Sequence, residues 1–461
     1  PEGRVASHIL GRVGPITAES AEAYEDRGYT GEETVGIGGI EAQYEEWLRG
    51  TPERVRVEVD AAGELVGSGV VSRDPADPGN NVELSIDVAV QRALELSLRT
   101  QIARNGFATG AAGVVLDPAT GEVLALASAP DFDPTVFTEG KPAQVRRLLS
   151  DKGNPLLNRA VDGGYPAAST FKAITASAAL EGDFVGADDL LESPAKIEIY
   201  DQDFRNFEDI SHGFINMPQA IQVSSDTYFY QLGAKFFETG QATPLQDAAR
   251  AYGFGRRTGI DLPSESPGLV PTPEWKNRHF ANTGVPTDRI WKPGDSVNLS
   301  VGQGNLQVTP LQMAVSYAAI ATGRVPTPTL ARRIAGPGGG ALQTLGAGRQ
   351  PRPLNVSRGT LEPIREGLVL ASNDFGGTST AVFGNLPEQY RVAGKTGTAE
   401  QFGGEDHSWY VGYAPADNPD VVVAVVIERG GTGAKAAAPA VCDTMAAVFE
   451  FEPSSCGTPP S

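Results

Sequence analysis

Serine and lysine stand three residues apart in the string STFK, as Ser169 and Lys172. That pair is a nucleophile and a base if a helix begins there. On a helix, positions i and i+3 lie one above the other on one face, so the amine can approach the hydroxyl. A helix N-terminus also favours negative charge and offers backbone N–H donors, which helps an alkoxide form and holds an oxyanion. Phe171, Ala173 and Ile174 flank the lysine, and partial burial among them would lower its pKa toward a neutral amine. Two further strings follow in order, SSD at residues 224–226 and KTGT at residues 395–398. Ser224, projecting from a loop before a helix, would relay a proton from Lys172 to a leaving amine. Gly397 on an edge strand would let an extended peptide come close and pair with the backbone. Lys395, Thr396 and Thr398 would then hold a terminal carboxylate, and the Thr398 N–H would join that of Ser169 as an oxyanion hole.

Each string also has an ordinary structural reading. Ser169 precedes good helix formers and would serve as a helix cap. Asp226 precedes TYFYQLGAKFF, a helical segment, and would be its N-cap. KTGT precedes HSWYVGYAP and VVVAVVIE, which read as neighbouring antiparallel strands, with Gly397 as a bulge. Elsewhere, residues 82–86 read as a strand, 88–103 as a helix, and 114–116 with 123–127 as a hairpin around PATGE. Residues 309–321, TPLQMAVSYAAIA, carry an apolar helix face. The glycine- and proline-rich run 336–353 reads as a flexible surface excursion. RVRVEVD is strand-like, and RDPADPGNN is a turn-rich boundary, placing one domain at residues 1–78 and another at 79–461.

The order SxxK, SxN or a variant, KTG resembles the signature of penicillin-binding proteins and serine β-lactamases. The chain is most similar to the class B penicillin-binding proteins, the monofunctional transpeptidases of peptidoglycan. The likeness runs through NVELSIDVAVQRALE, GAAGVVLDPATGEVLALASAPDFDP, YGFGRRTGIDLPSE, VNLSVGQGNLQVTPLQMA and EDHSWYVGYAP. VGIGGIEAQYEEWLRG resembles the family's N-terminal pedestal. The resemblance implies an α+β fold, a mainly antiparallel sheet flanked by helices with an all-helical subdomain, behind a pedestal. It implies a D,D-transpeptidase with Ser169, Lys172, Ser224 and Asp226 as catalytic residues, and Lys395, Thr396, Gly397 and Thr398 holding substrate. Stem peptides and β-lactams would acylate Ser169. No cofactor or metal is expected, and a polytopic glycosyltransferase is the expected partner at the pedestal. The chain starts at Pro1 within pedestal-like sequence, so an N-terminal membrane anchor would precede it and place the catalytic part outside the cytoplasm. SSD, and an end at Ser461 without an appended domain, point toward the elongation type.

The sequence departs from the family pattern at two positions. Asp226 replaces the more usual asparagine, and its carboxylate would raise the Lys172 pKa against the lysine's work as a base. Ala168 replaces the usual glycine before the serine, which a negative φ would allow. A β-lactamase needs a second base for water, and Glu265 and Glu274 lie in proline-rich segments without a motif for it. A non-catalytic sensor or scaffold is the remaining alternative, but retention of serine, lysine and KTGT speaks against it.

The 461 residues, 40% apolar and 20% charged, suffice for two domains and a large core. A net charge of -20 disfavours nucleic acid and anionic lipid as main partners. The four histidines His8, His212, His279 and His407 are scattered without zinc spacing. His407, just before the strand at 408–413, is the one expected near the chemistry, as a support for that strand. Cys442 and Cys456 read equally as a disulfide or as two inert thiols.

Overall fold

VVVAVVIE is apolar at nearly every position, which suits a strand covered on both faces. In the computed structural model, which describes residues 3–138, 141–239, 243–346, 349–401 and 403–459, it is the middle strand of a five-stranded antiparallel sheet. The strands are β1 (Gly110–Leu116), β2 (Val123–Ala129), β3 (Ala393–Ala399), β4 (His407–Ala414) and β5 (Val421–Glu428), in the order β3-β4-β5-β1-β2. Side chains alternate along β5. Val422, Ala424 and Val426 enter one core, while Val423, Val425 and Ile427 enter another on the opposite face.

Helices close both faces. α1 (Val88–Arg104) is capped by Asp87, whose side chain accepts from the Ala89 and Val90 N–H groups. α6, at Ala437–Phe449, packs with it against the β5 face that carries Val423 and Val425. Between these two in the chain lie α2 (Lys172–Glu181), α3 (Asp226–Glu238), α4 (Pro310–Thr322) and α5 (Arg358–Asn373). The helix read at 309–321 is α4. Thr309 and Gln312 form a reciprocal capping box and Pro310 opens the first turn. Its residues 310–320 are all buried, because α4 runs between the sheet and the rest of the helical lobe. That lobe also carries two small antiparallel sheets, Leu191–Ser193 with Gly213–Ile215 and Lys196–Ile199 with Gln202–Arg205.

The run 336–353 departs from its expected form. Ala341–Thr344 is a strand paired with Ala331–Ala335, which pairs in turn with Asn81–Leu84. The edge of Ala331–Ala335 supplies backbone partners that the local composition does not advertise; residues 347 and 348 of the run lie outside the described residues. RVRVEVD forms strand Arg54–Val59, paired with Leu65–Asp74. All its positions are exposed.

Cys442 in α6 is disulfide-bonded to Cys456, with the Cα atoms 6.0 Å apart and a sequence separation of 14. The bridge fastens the chain beyond α6 to the core. Closing a loop of this length constrains the unfolded chain by about 3 kcal/mol. Cys456→Ala is therefore expected to lower the unfolding midpoint, and an unchanged denaturation curve would refute this. Among the described residues, no helix is long and apolar enough to cross a membrane.

Candidate active site

The STFK string sits where a 3-10 turn, Ala168–Phe171, runs into α2. Ser169 does not cap that helix. Its hydroxyl makes no hydrogen bond among the described residues, and the side chain is partly exposed. The turn is pinned from three sides. Trp409 Nε1 on β4 donates to Pro166 O at 3.0 Å, Tyr317 OH on α4 donates to Thr170 O at 2.9 Å, and Ala168 N donates to Gly302 O at 2.8 Å.

The negative φ that would make alanine easy here is not adopted: Ala168 has φ +51°. An L-residue pays roughly 1–2 kcal/mol in the left-handed region, so this conformation is imposed by the surrounding contacts. Gly302 is one of them. A Cβ there would lie 2.2 Å from Ala168 O, and its own φ is +73°. Gly302→Ala is expected to cost at least about 1–3 kcal/mol, as overpacking does, and to move the turn that carries Ser169. Denaturant unfolding checks this, and an unaltered midpoint would contradict it.

Lys172 is fully buried. Its Nζ donates to Ser224 O at 2.7 Å, to Ser224 Oγ at 3.2 Å and to Asp226 Oδ1 at 2.7 Å. The structure thus joins Lys172 to the SSD turn, and it gives no direct hydrogen bond from Lys172 to Ser169. Burial pushes the Lys172 ammonium below the ordinary lysine range, and the charge and hydrogen bond of Asp226 oppose that shift without cancelling it. The carboxylate was expected to raise this pKa, and its effect has that sign; desolvation is the larger influence.

Asp226 is free for this role because it is not the helix cap. Ser225 is the N-cap of α3, accepting from Tyr228 N at 3.1 Å. Asp226 occupies the first helical position, where a carboxylate is favoured by the helix dipole. Ser224 has φ +58°, a turn that directs it away from the helix and toward Lys172.

KTGT lies wholly within β3, the edge strand of the main sheet. Gly397 is not a bulge, since the β3–β4 register runs unbroken and pairs it with Trp409. The glycine is needed for a different close approach. A Cβ there would lie 3.0 Å from the Thr170 methyl and from Trp409 Cβ, so its absence lets β3 pass tightly against the Ser169 turn. Lys395 is buried and donates to Thr396 O at 3.2 Å. Burial first, and then the charge of Lys172, hold its pKa well below the ordinary lysine value. Thr396 Oγ1 donates to Thr378 Oγ1 at 2.8 Å, Thr398 Oγ1 accepts from Gly433 N at 3.4 Å, and Gln303 Nε2 donates to Thr398 O at 3.3 Å. When protonated, Lys172 and Lys395 bring two cations to the cleft, where Asp226 pairs with Lys172 and Glu400 lies close enough to interact with Asp226.

Several supporting residues carry no local signal. Thr378, Gln303, Gly302 and Tyr317 reach the three strings only through tertiary contacts. His407 supports its strand as expected, accepting from Arg429 N at Nδ1, 3.0 Å away. The histidine on which both Lys172 and Asp226 act electrostatically is a different one, His212. Glu265 is engaged elsewhere. Its carboxylate accepts from Thr258 N and Oγ1, both at 2.6 Å, and from Gly259 N at 3.1 Å. Glu274 lies in the first turn of the helix Pro273–His279.

Comparison with known proteins agrees with this architecture. The family described as penicillin binding protein transpeptidase domain matches residues 111–446, and the penicillin-binding protein dimerisation domain matches residues 1–84. The peptidoglycan D,D-transpeptidase MrdA of Haemophilus influenzae is 33% identical over 95% of this chain and 67% of its own length. This chain thus spans about two thirds of that relative. Penicillin-binding protein PBP2 of Pseudomonas aeruginosa, solved in complex with WCK 5153, is similar with a TM-score of 0.81 and 31% identity, covering 100% of this chain and 91% of that one. A chain from a peptidoglycan synthase complex that coordinates polymerization and crosslinking is similar with a TM-score of 0.82 and 34% identity, covering 98% of this chain and 76% of the other.

Proposed function

Because this chain belongs to the penicillin-binding protein transpeptidase family, we propose that it cross-links peptidoglycan stem peptides through an acyl-enzyme on Ser169. The observation that carries this reading is the junction of the Ser169 turn, the buried Lys172 held by Ser224 and Asp226, and the edge strand bearing KTGT. Lys172 takes the proton of Ser169 as Oγ attacks the carbonyl between the two terminal D-alanines. The hydrogen bond between the two side chains forms when substrate binds, since catalytic hydrogen bonds are often long or unmade in the free enzyme. The Ser169 and Thr398 N–H groups hold the oxyanion, and Lys395, Thr396 and Thr398 hold the terminal carboxylate against β3, with Gly397 allowing the close fit. Ser224 passes the proton from Lys172 to the departing D-alanine. An amine of a second stem peptide then displaces Ser169.

β-Lactams enter the same path and stay on the serine, because Glu265 is already committed to Thr258 and Gly259 and supplies no base for water. The domain at 1–78 is a pedestal for the catalytic domain at 79–461, and it presents a docking surface to a polytopic glycosyltransferase. An N-terminal anchor holds the protein at the cell membrane with the catalytic domain outside the cytoplasm; the Cys442–Cys456 bridge supports an oxidising compartment. The test is incubation with a stem pentapeptide donor and an amine-bearing stem peptide. Release of D-alanine matched by a cross-linked product is expected. Rapid turnover of penicillin without a lasting adduct would overturn the proposal in favour of a β-lactamase.

A further inference from the structure

A cleft of about 320 Å³ lies on the seam between the residues that match the dimerisation domain and those that match the transpeptidase domain. Ser7, Arg12 and Ile37 line it from the first side, and Phe132, Leu157, Asp162 and Leu262 from the second. The two walls are fastened to each other beside it. His8 Nε2 donates to Pro155 O at 2.8 Å, the His8 ring meets Phe132 edge-on at 5.2 Å, and Arg4 Nη1 donates to Asp131 Oδ1 at 3.1 Å. A pre-formed concave surface of this volume suits a small ligand.

Two polar groups of the cleft have no partner in the protein. Ser7 is 2% exposed, and its Oγ makes no hydrogen bond among the described residues. Arg12 opens the strand Arg12–Pro15, and its guanidinium lies over the Phe137 ring, 4.9 Å from the centroid. Such stacking occupies the face of the guanidinium and leaves its in-plane N–H groups available. The Arg12 Nε is buried without an acceptor, and no carboxylate pairs with the guanidinium among the described residues. Burial lowers the Arg12 pKa, and no neighbouring anion opposes it. The other polar side chains of the lining are committed. His8 is uncharged at neutral pH, since burial lowers its pKa to about 4 against the opposing Pro155 hydrogen bond. Asn158 bonds Ser128 Oγ and His8 O, and Asp162 Oδ1 accepts from Ser264 Oγ at 2.9 Å.

We propose that this cleft binds a small aliphatic monocarboxylate, with Arg12 and Ser7 donating to the carboxylate and the apolar wall covering the hydrocarbon. The unmet groups are an N–H and an O–H, so the ligand must accept. The guanidinium calls for negative charge, and a planar carboxylate matches its edge. Asp162 in the same lining weighs against a dianion such as phosphate. Ile37, Phe132, Leu157 and Leu262 favour an aliphatic body. Because both domains line the cleft, the bound carboxylate ties one to the other, and its binding stabilises the folded protein by mass action. The site shares no residue with the Ser169, Lys172 and KTGT centre, so the inference stands apart from the acyl-transfer reading.

The experiment is titration calorimetry with N-acetyl-L-leucine as the probe, on the protein before and after saturation with penicillin. One site should bind the probe in both states. N-acetyl-L-leucine amide has the same hydrocarbon without the charge and should bind at least about tenfold more weakly, the scale of a hydrogen bond to a charged group. Inorganic phosphate should also bind more weakly than the probe. Arg12→Gln should lower the affinity for the probe by at least about tenfold, and Ser7→Ala by about two- to tenfold. The probe should raise the thermal unfolding midpoint of the wild-type protein and leave that of Arg12→Gln unchanged at the same concentration. Should Arg12→Gln fail to fold, Ser7→Ala and the amide decide the matter. Equal affinity for the acid and its amide, equal affinity in wild type and Arg12→Gln, tighter binding of phosphate, or no binding of any probe would each overturn the inference. So would loss of binding once penicillin occupies Ser169, because the probe would then sit in the catalytic cleft. Absence of a penicillin adduct would strike the acyl-transfer reading instead, and the comparison with Arg12→Gln would still decide this one.

Discussion

Ser169→Ala, mixed with a penicillin and followed by intact-mass spectrometry for hours, is expected to keep its unmodified mass, while the wild-type protein gains one penicillin and retains it. The loss should be complete, because the substitution removes the atom that forms the covalent bond. Stability separates this from misfolding. The Ser169 hydroxyl has no hydrogen-bond partner among the described residues, and the turn is held by the backbone and by Trp409, Tyr317 and Gly302. Replacing a partly exposed hydroxyl that holds nothing should therefore change stability by no more than about 0.5 kcal/mol. A folded Ser169→Ala protein that still acquires the adduct would place the nucleophile elsewhere and dismantle the proposed chemistry.

What could be read from the chain, and what could not, divides by the range of the interactions involved. The helix at 309–321 was legible from its apolar face, and the capping box of Thr309 and Gln312 that starts α4 is local too, with both partners within three residues. KTGT and the two strands after it were legible because an apolar or aromatic run between turns has few alternatives. The SSD turn was misjudged in one detail. Both Ser225 and Asp226 are good caps, and which one caps depends on whether a buried lysine is waiting for the carboxylate. That lysine lies 54 residues away in sequence. Ala168 looked compatible with negative φ because its own neighbours permit it; the left-handed turn is dictated by packing against Gly302. Composition bounded the fold class, and only the packed structure shows that burial outweighs Asp226 at Lys172.

That last balance yields the second expected result. Lys172→Ala should slow penicillin acylation by about 10²–10⁴-fold, the usual contribution of a positioned base. Asp226 keeps 20% of its side-chain surface, so water can meet the carboxylate once the lysine is gone, and the loss need not be a loss of fold. Asp226→Asn tests the same base through its pH dependence. Only neutral Lys172 can accept the Ser169 proton, so the wild-type rate rises as pH climbs through the Lys172 pKa. Asp226 stabilises the ammonium and burial destabilises it, so removing the carboxylate's charge leaves burial less opposed. The Lys172 pKa falls further, and the acid limb of the acylation profile moves to lower pH. Rate constants measured across that limb give a direct reading. A limb that moves upward in Asp226→Asn, or a folded Lys172→Ala protein that acylates at the wild-type rate, would remove Lys172 from the role of base.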